Sequence, residues 1–209
     1  MTVAGVVLAG GASRRMGRDK ATLPVGGVAL AGRVLAAAAR VADPVLLVAP
    51  EGHPAGRLVA PAADPARPPA ARIVTDPGRG PLAALAAALA VMDSRHVLLL
   101  AGDHPTLRVG LLSRLVELRE QAQAVACRHG PRLEPLVAVY ERLPALAAAT
   151  TRLATGDHSL TGLLAALPTL VVEEAQWRRL DPEGCSFVDL DDQAGLAAWN
   201  ARRQRQRKG

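Results

Sequence analysis

The sequence predicts one α/β domain over residues 1–201, a three-layer α/β/α Rossmann-like arrangement with a mostly parallel sheet, followed by a basic tail at 202–209 that is expected to be disordered. Three observations predict it. The apolar runs 3–8 (VAGVVL), 44–49 (PVLLVA) and 96–101 (HVLLLA) lack polar alternation, as expected of parallel strands covered on both faces. Ala- and Leu-rich stretches of helical length stand between them, so strand and helix alternate as in βαβ units. With 209 residues, half of them apolar and only 2% aromatic, the chain can fill one sizeable core with Ala, Leu and Val.

In chain order, strand 3–8 opens into the loop 8–20, residues 28–41 read as the first helix, and 44–49 as the second strand. Residues 50–71 hold six prolines, a density that no regular element tolerates, and read as a long surface excursion within the domain. The run 72–75 (RIVT) is a third strand, and Pro81 is placed to be the first residue of a helix ending at Met92. After strand 96–101, the spacing of Leu111, Leu112, Leu115, Val116 and Leu118 marks a helix over 109–121. Residues 122–128 and 133–141 are two strands about the turn His129-Gly130-Pro131-Arg132. Helices at 143–154 and 159–167 follow, with Ser159 as the N-cap of the second. A strand at 169–172, a turn at 181–184, an alternating strand at 187–191 and a helix at 192–201 complete the reading.

The loop after the first strand, Leu8-Ala9-Gly10-Gly11-Ala12-Ser13-Arg14-Arg15-Met16-Gly17-Arg18-Asp19-Lys20, is the most informative stretch. A buried strand that empties into a glycine-rich, basic loop offers main-chain N–H groups and cations to a phosphate chain. Its spacing excludes two common phosphate loops. The glycines are adjacent and then absent until Gly17, unlike G-x-G-x-x-G, and Gly17 is separated from Lys20 by two residues, unlike the Walker loop. Of 25 Lys and Arg, only Lys20 and Lys208 are lysines, so a compact ammonium is kept in this loop by a chain that otherwise uses arginine.

Two further loops leave the same sheet edge. Asp76-Pro77-Gly78-Arg79-Gly80-Pro81-Leu82 sets Gly80 and its neighbours at a helix N-terminus, which attracts anions and admits close main-chain approach; an ordinary capped helix start is the alternative. Gly102-Asp103-His104-Pro105 follows the most apolar strand. In open α/β sheets ligands bind beyond the carboxyl ends of the strands, and a carboxylate there, facing a basic phosphate loop, is a Mg²⁺ ligand candidate. His104 is read as structural or solvent-facing. No Ser/His/Asp or Cys/His nucleophile is evident.

Composition narrows the remaining classes. No apolar run approaches the roughly 20 residues that span a bilayer, and the first strand begins without a basic n-region or cleavage site, so a cytoplasmic location is expected. Cys127 and Cys185 have no metal-ligand spacing and read as packed thiols. The net charge is +6, but five of those charges lie in the tail, on Arg202, Arg203, Arg205, Arg207 and Lys208. With few aromatics to stack on bases, no specific nucleic-acid partner is expected, and no membrane partner.

The pattern L-A-G-G-x-S-x-R-M-G-x-D-K resembles the signature loop of nucleotidyltransferases with a glycosyltransferase-A-like fold, the nucleotide-diphospho-sugar transferase-like fold, and most closely that of the molybdenum cofactor guanylyltransferases. The resemblance extends from residue 3 to about 200. It includes Gly80-Pro81-Leu82-Ala83, with Ala84 where a second glycine is usual; Asp103 in an Asp-x-Pro motif; Pro135-Leu136-Val137-Ala138-Val139-Tyr140; Gly156-x-x-Ser159; and Phe187, Asp189, Asp191 and Leu196. It implies that GTP lies along Leu8, Ala9, Gly10, Gly11, Ser13, Arg14 and Lys20, bordered by Asp76, Gly80, Pro81, Leu82 and Asp103. Mg²⁺ would be held by Asp103 and Asp191. Arg15 and Lys20 would neutralise the triphosphate while a phosphate oxygen of molybdopterin-bound cofactor attacks the α-phosphorus and pyrophosphate leaves. Pro135, Tyr140, Ser159 and Asp189 would lie towards the acceptor, although Tyr140 reads equally as core and Ser159 as a helix cap. Transient contacts with molybdoenzymes or cofactor-delivery proteins go with this role. The alternatives are a same-fold enzyme with another base or acceptor (a molybdenum cofactor cytidylyltransferase, a sugar-phosphate or a phospholactate nucleotidyltransferase) and a non-catalytic carrier of nucleotide or cofactor. At Ala49-Pro50 the chain lacks the asparagine usual in the guanylyl-transferring members.

Overall fold

The computed structural model describes residues 2–10, 20–59 and 71–188. Seven strands form one sheet in the order β5-β4-β1-β6-β8-β7-β9. They are β1 (Val3–Leu8), β4 (Val45–Ala49), β5 (Arg72–Thr75), β6 (His96–Ala101), β7 (Ala124–His129), β8 (Arg132–Glu141) and β9 (Thr169–Val172). A separate two-stranded ribbon pairs β2 (Pro24–Val25) with β3 (Val28–Ala29). Within the large sheet β1, β4, β5 and β6 are mutually parallel, β8 runs antiparallel to β6 and β7, and β9 is parallel to β7. The sheet is therefore mostly parallel.

Helices cover both faces, because β1, β4 and β6 are buried at every residue. Val3 and Val7 of β1 and Leu98 and Leu100 of β6 pack with α1 (Leu30–Ala38) and α3 (Val109–Glu117). The alternate residues, Ala4, Val6, Val97 and Leu99, pack with α2 (Pro81–Ala90), α4 (Arg142–Ala154) and α5 (Leu160–Ala166). Gly5 lets α1 approach, since a methyl there would lie 3.4 Å from the Cβ atoms of Ala38 and Ala42.

Several element boundaries differ from the sequence-based reading for local reasons. The helix expected over 28–41 starts at Leu30, because Gly26 and Gly27, at φ 62° and 83°, form a two-residue hairpin turn that draws Val28–Ala29 against Pro24–Val25. Helices α2 and α3 end at Ala90 and Glu117, short of Met92 and Gln121. Within the proline-rich excursion, Pro54–Val59 is a 3₁₀ segment. A helix missed in the sequence, α6 (Glu174–Trp177), begins with a capping box in which Glu173 and Gln176 exchange side-chain and main-chain bonds; that Glu-x-x-Gln spacing was its signal. Phe187 was assigned to a strand but ends the 3₁₀ turn Cys185–Phe187, since its N–H bonds back to Gly184 O at 3.1 Å rather than to a neighbouring strand. Val188 has no regular structure, and residues 189–191 of that strand and the helix over 192–201 lie outside the described residues, as does the tail.

Candidate active site

The strand order reverses beside β1. From β1 the chain moves to β4 and β5 on one side, then returns to place β6 on the other, so the carboxyl ends of β1 and β6 stand side by side at the reversal. Such a reversal opens a crevice for a ligand. The edge is tightly built: Ala9 N–H bonds to Val48 O at 2.8 Å, and Gly102 N–H to Leu8 O at 2.8 Å. Leu8 and Ala9 are buried, so they offer main chain here. A methyl on Gly102 would lie 2.8 Å from Leu8 O and 3.4 Å from Ala9 Cα, so this glycine is dictated by the approach of the two strands.

Gly10, Pro50 and Asp76 converge on the other side of β1. A methyl on Gly10 would overlap the Asp76 carboxylate and stand 3.2 Å from Pro50 Cδ. Asp76 is itself placed by the bond from its N–H to Ala49 O at 2.9 Å, while its Oδ1 accepts from Gly78 N–H at 2.8 Å. The first glycine of the signature loop thus packs against the first residue of the second loop. Gly80, at φ 89°, is the N-cap of α2 and Pro81 its first residue, as that reading of the sequence expected. Leu82 is fully buried and presents only main chain at this end. Ala84 keeps its methyl within the core beneath α2, which accommodates the departure from the family's second glycine. A methyl on Gly80 would be 4.0 Å from His158 Cβ, so the loop between α4 and α5 borders the start of α2.

Lys20 is half-buried and opens the 3₁₀ turn Lys20–Thr22, which packs against α1. Asp103 is half-buried two residues beyond β6. The link between these two parts is a residue that the sequence did not single out. Arg33, on α1, donates from Nε to Pro105 O at 3.1 Å and from Nη1 to Val25 O at 3.4 Å. One guanidinium thereby joins the ribbon following Lys20 to the loop carrying Asp103, and a lone arginine in an apolar helix carries no motif that would reveal it. His104 is buried, as a structural residue is, although its Nδ1 has no hydrogen-bond partner. Gly11, Ser13, Arg14, Arg15, Asp189 and Asp191 lie outside the described residues.

The residues expected on the acceptor side have local structural duties. Between the pairs Ala126↔Ala138 and Cys127↔Glu134 the ladder of β7 and β8 slips, and Pro135, Leu136 and Val137 form a bulge. Pro135 cannot donate to a ladder and suits this position. Tyr140 is fully buried, and its hydroxyl donates to Pro135 O at 2.9 Å. Of the two roles left open for Tyr140, the structure shows the core one, with the hydroxyl supporting the bulge. Burial also pushes the phenol far above its ordinary range, with Glu134 adding to the shift. Ser159 caps α5, its Oγ accepting from Gly162 N–H at 3.0 Å.

A mostly parallel sheet whose order reverses beside β1, with Gly10 and Asp103 just beyond the carboxyl ends of adjacent strands, is the architecture of nucleotide-binding α/β proteins. The chain belongs to the family described as the MobA-like NTP transferase domain, which matches residues 5–175. It is 36% identical over 188 residues to a protein of Opitutus terrae named "probable molybdenum cofactor guanylyltransferase", covering 84% of this chain and 88% of that one. It is 32% identical over 203 residues to the molybdenum cofactor guanylyltransferase of Syntrophotalea carbinolica, covering 93% and 89%. Among solved structures it resembles molybdopterin-guanine dinucleotide biosynthesis protein A of Archaeoglobus fulgidus, with a TM-score of 0.77 at 22% identity, covering 94% of this chain and 96% of that one. A Mycobacterium tuberculosis protein solved in complex with manganese superimposes with a TM-score of 0.60 at 21% identity, covering 88% and 100%. These structural likenesses establish the fold. No helix among the described residues is long and apolar enough to cross a membrane.

Proposed function

We propose that this chain transfers the GMP moiety of GTP to molybdopterin-bound molybdenum cofactor, forming the guanine dinucleotide cofactor and releasing pyrophosphate. The observation that carries this reading is that the Gly10–Asp76 contact and the Asp103 loop flank the end of β1 at the strand reversal, in a chain whose relatives bear the guanylyltransferase name. The triphosphate lies along the loop from Gly10 to Lys20, with the start of α2 at Gly80 beside it. A phosphate oxygen of the acceptor forms a bond to the α-phosphorus, and the bond from that phosphorus to the β-phosphate oxygen breaks. Because a phosphate monoester is largely ionised near neutral pH, no strong general base is needed, and catalysis is positioning with charge neutralisation.

In this reading Lys20 and Arg15 take up charge developing on the leaving pyrophosphate. Asp103 fits a Mg²⁺ ion: it is a hard oxygen donor, half-buried at the sheet edge, and Mg²⁺ uses one or two carboxylates with phosphate oxygens and water. When bound, the ion supplies Lewis-acid neutralisation of the phosphates. Asp191 is the second carboxylate of this reading and Asp189 its neighbour. Pro135 and Ser159, on the bulge and at the cap of α5, border the acceptor, and the reaction belongs in the cytoplasm.

The test is binding of GTP, CTP, ATP and UTP with Mg²⁺, followed by pyrophosphate release on addition of molybdopterin. GTP selectivity with acceptor-dependent release is expected. A second reading, transfer from CTP, is favoured by Pro50, whose ring packs beside Gly10 where the guanylyl-transferring members carry asparagine near this edge; CTP selectivity would establish it. Tight GTP binding without release, using an acceptor shown to be active with another transferase, would favour a carrier or a different acceptor.

A further inference from the structure

The loop that carries Asp103, residues 102–108, is held from outside at several points. Gly102 is tied to Leu8 and Pro105 to Arg33, as described above. Its far end, Arg108, is gripped by the turn that follows α6. There the fully buried Ser186 hydroxyl accepts a bond from Arg108 N–H at 2.9 Å. The Asp181 carboxylate, also fully buried, accepts from Cys185 N–H at 3.0 Å and from Ser186 N–H at 2.7 Å. Arg108 Nε stands 3.7 Å from Asp181 Oδ1.

Burying a carboxylate costs several kcal/mol unless its charge and lone pairs are answered. Here each oxygen meets a main-chain N–H, and one faces a guanidinium. A chain reversal alone requires no buried charge, since exposed Asn, Asp or Ser serves an ordinary turn. The charged cluster instead grips Arg108, which is also the N-cap of α3 and lies five residues beyond Asp103.

We propose that Asp181, acting through Ser186 and Arg108, is a positioning residue that holds the Asp103 loop ready to receive a divalent cation; this rests on the reading of Asp103 as a metal ligand. Asp181 touches neither nucleotide nor cation. It acts before they arrive, because the apparent affinity of a site falls in proportion to the fraction of molecules whose loop is correctly placed.

The experiment is calorimetric titration of Mn²⁺ into the full-length protein with GTP present, together with thermal melting and hydrogen exchange at the Arg108 and Ser186 amides. Ser186→Ala, which removes one accepting oxygen, should weaken cation binding roughly fivefold and speed exchange at Arg108. GTP binding measured in chelator should stay unchanged. Asp181→Asn should weaken the cation further, by roughly tenfold or more, because it removes the charge facing Arg108 as well. Arg114→Ala, a surface change on the same helix, sets the baseline for general loosening. If Ser186→Ala lowers the melting temperature but leaves the Mn²⁺ affinity at the Arg114→Ala level, the positioning role is overturned; this also decides the matter if Asp181→Asn fails to fold. Asp103→Asn separates the two readings. If it abolishes the Mn²⁺ response while Ser186→Ala does nothing, only the positioning role falls; if the response survives Asp103→Asn, the metal-ligand reading falls and the positioning role with it.

Discussion

On one side of β6 the chain repeats strand, loop and helix, with β1, β4 and β5 in parallel, and the site is made from loops leaving one edge. On the other side β8 reverses direction, the β7–β8 ladder slips at a bulge, and the order is held by individual bonds from side chain to main chain. Tyr140 supports the bulge, Trp177 Nε1 donates to Arg128 O at 2.7 Å, and Asp181 and Ser186 clasp Arg108. Trp177 and His129 pack around Phe187 at centroid distances of 4.7 and 5.0 Å. The parallel half derives its geometry from a repeating pattern, so the residues of its candidate site are glycines and carboxylates at loop starts. The antiparallel half lacks that repetition, and there polar side chains specify the geometry.

The comparison can be broken most severely at Asp103. Asp103→Asn should lower the rate of nucleotidyl transfer by about 100-fold or more while leaving the melting temperature nearly unchanged, because the residue serves the edge and not the core. Steady-state kinetics alongside melting curves would check both parts. The glycines should behave differently from each other. Gly102→Ala meets the Leu8 carbonyl, which cannot turn aside, and should cost about 2–3 kcal/mol in urea unfolding. Gly10→Ala meets the Asp76 side chain, which can rotate away, so it should cost about 1 kcal/mol or less in stability and roughly tenfold in GTP affinity.

Arg33 tests whether the parallel half also contains a specific strut. Arg33→Ala should raise the KM for GTP by about tenfold, and Arg33→Lys should not restore it, since a single ammonium lacks the fork that reaches both carbonyls. In the antiparallel half, Tyr140→Phe should cost about 1 kcal/mol, read as a shift in the urea midpoint, for the loss of its bond to Pro135.

The smallest effects are those of pH, one in the antiparallel half and one on the middle strand. Burial pushes the Cys127 thiol on β7 up to about 12, with Glu134 adding to it, so the unfolded chain releases this proton first. The corresponding stability is complete below pH 9 and should fall as pH rises from 9 towards 12. Burial holds His96 at the foot of β6 below its ordinary 6.5, with Arg95 and Arg119 acting in the same direction and Glu120 and Glu141 against it. The unfolded chain therefore binds this proton more readily, and stability should decline as pH falls through 6.5. Urea midpoints between pH 5 and 7 in the native chain and in His96→Gln would isolate that contribution.

Legibility followed the same division. β1, β5, β6 and β9 were readable to the residue because apolar runs are bounded by prolines, glycines and charges. The ribbon β2–β3 was hidden because two-residue strands carry no periodicity, although Gly26-Gly27 was an available turn signal. In the candidate site, Gly10 and Gly80 were singled out by loop composition, Asp103 by its place beyond a strand end, and Asp76 by the resemblance. Arg33 and Asp181 were not, because Arg33 reaches Pro105 and Asp181 reaches Arg108 from far away in the sequence, and such partners leave no local pattern.

By itself the sequence determined the alternation of strand and helix, the two-sided burial of the central strands and the chemistry of the loops, since these depend on local composition and periodicity. Only the tertiary structure decided which strand lies beside β1, where the ladder slips, and which buried carboxylate clasps the loop bearing Asp103. Those outcomes arise from pairings between residues tens of positions apart, where close packing and the need to satisfy each buried polar group choose among arrangements that the local pattern leaves equivalent.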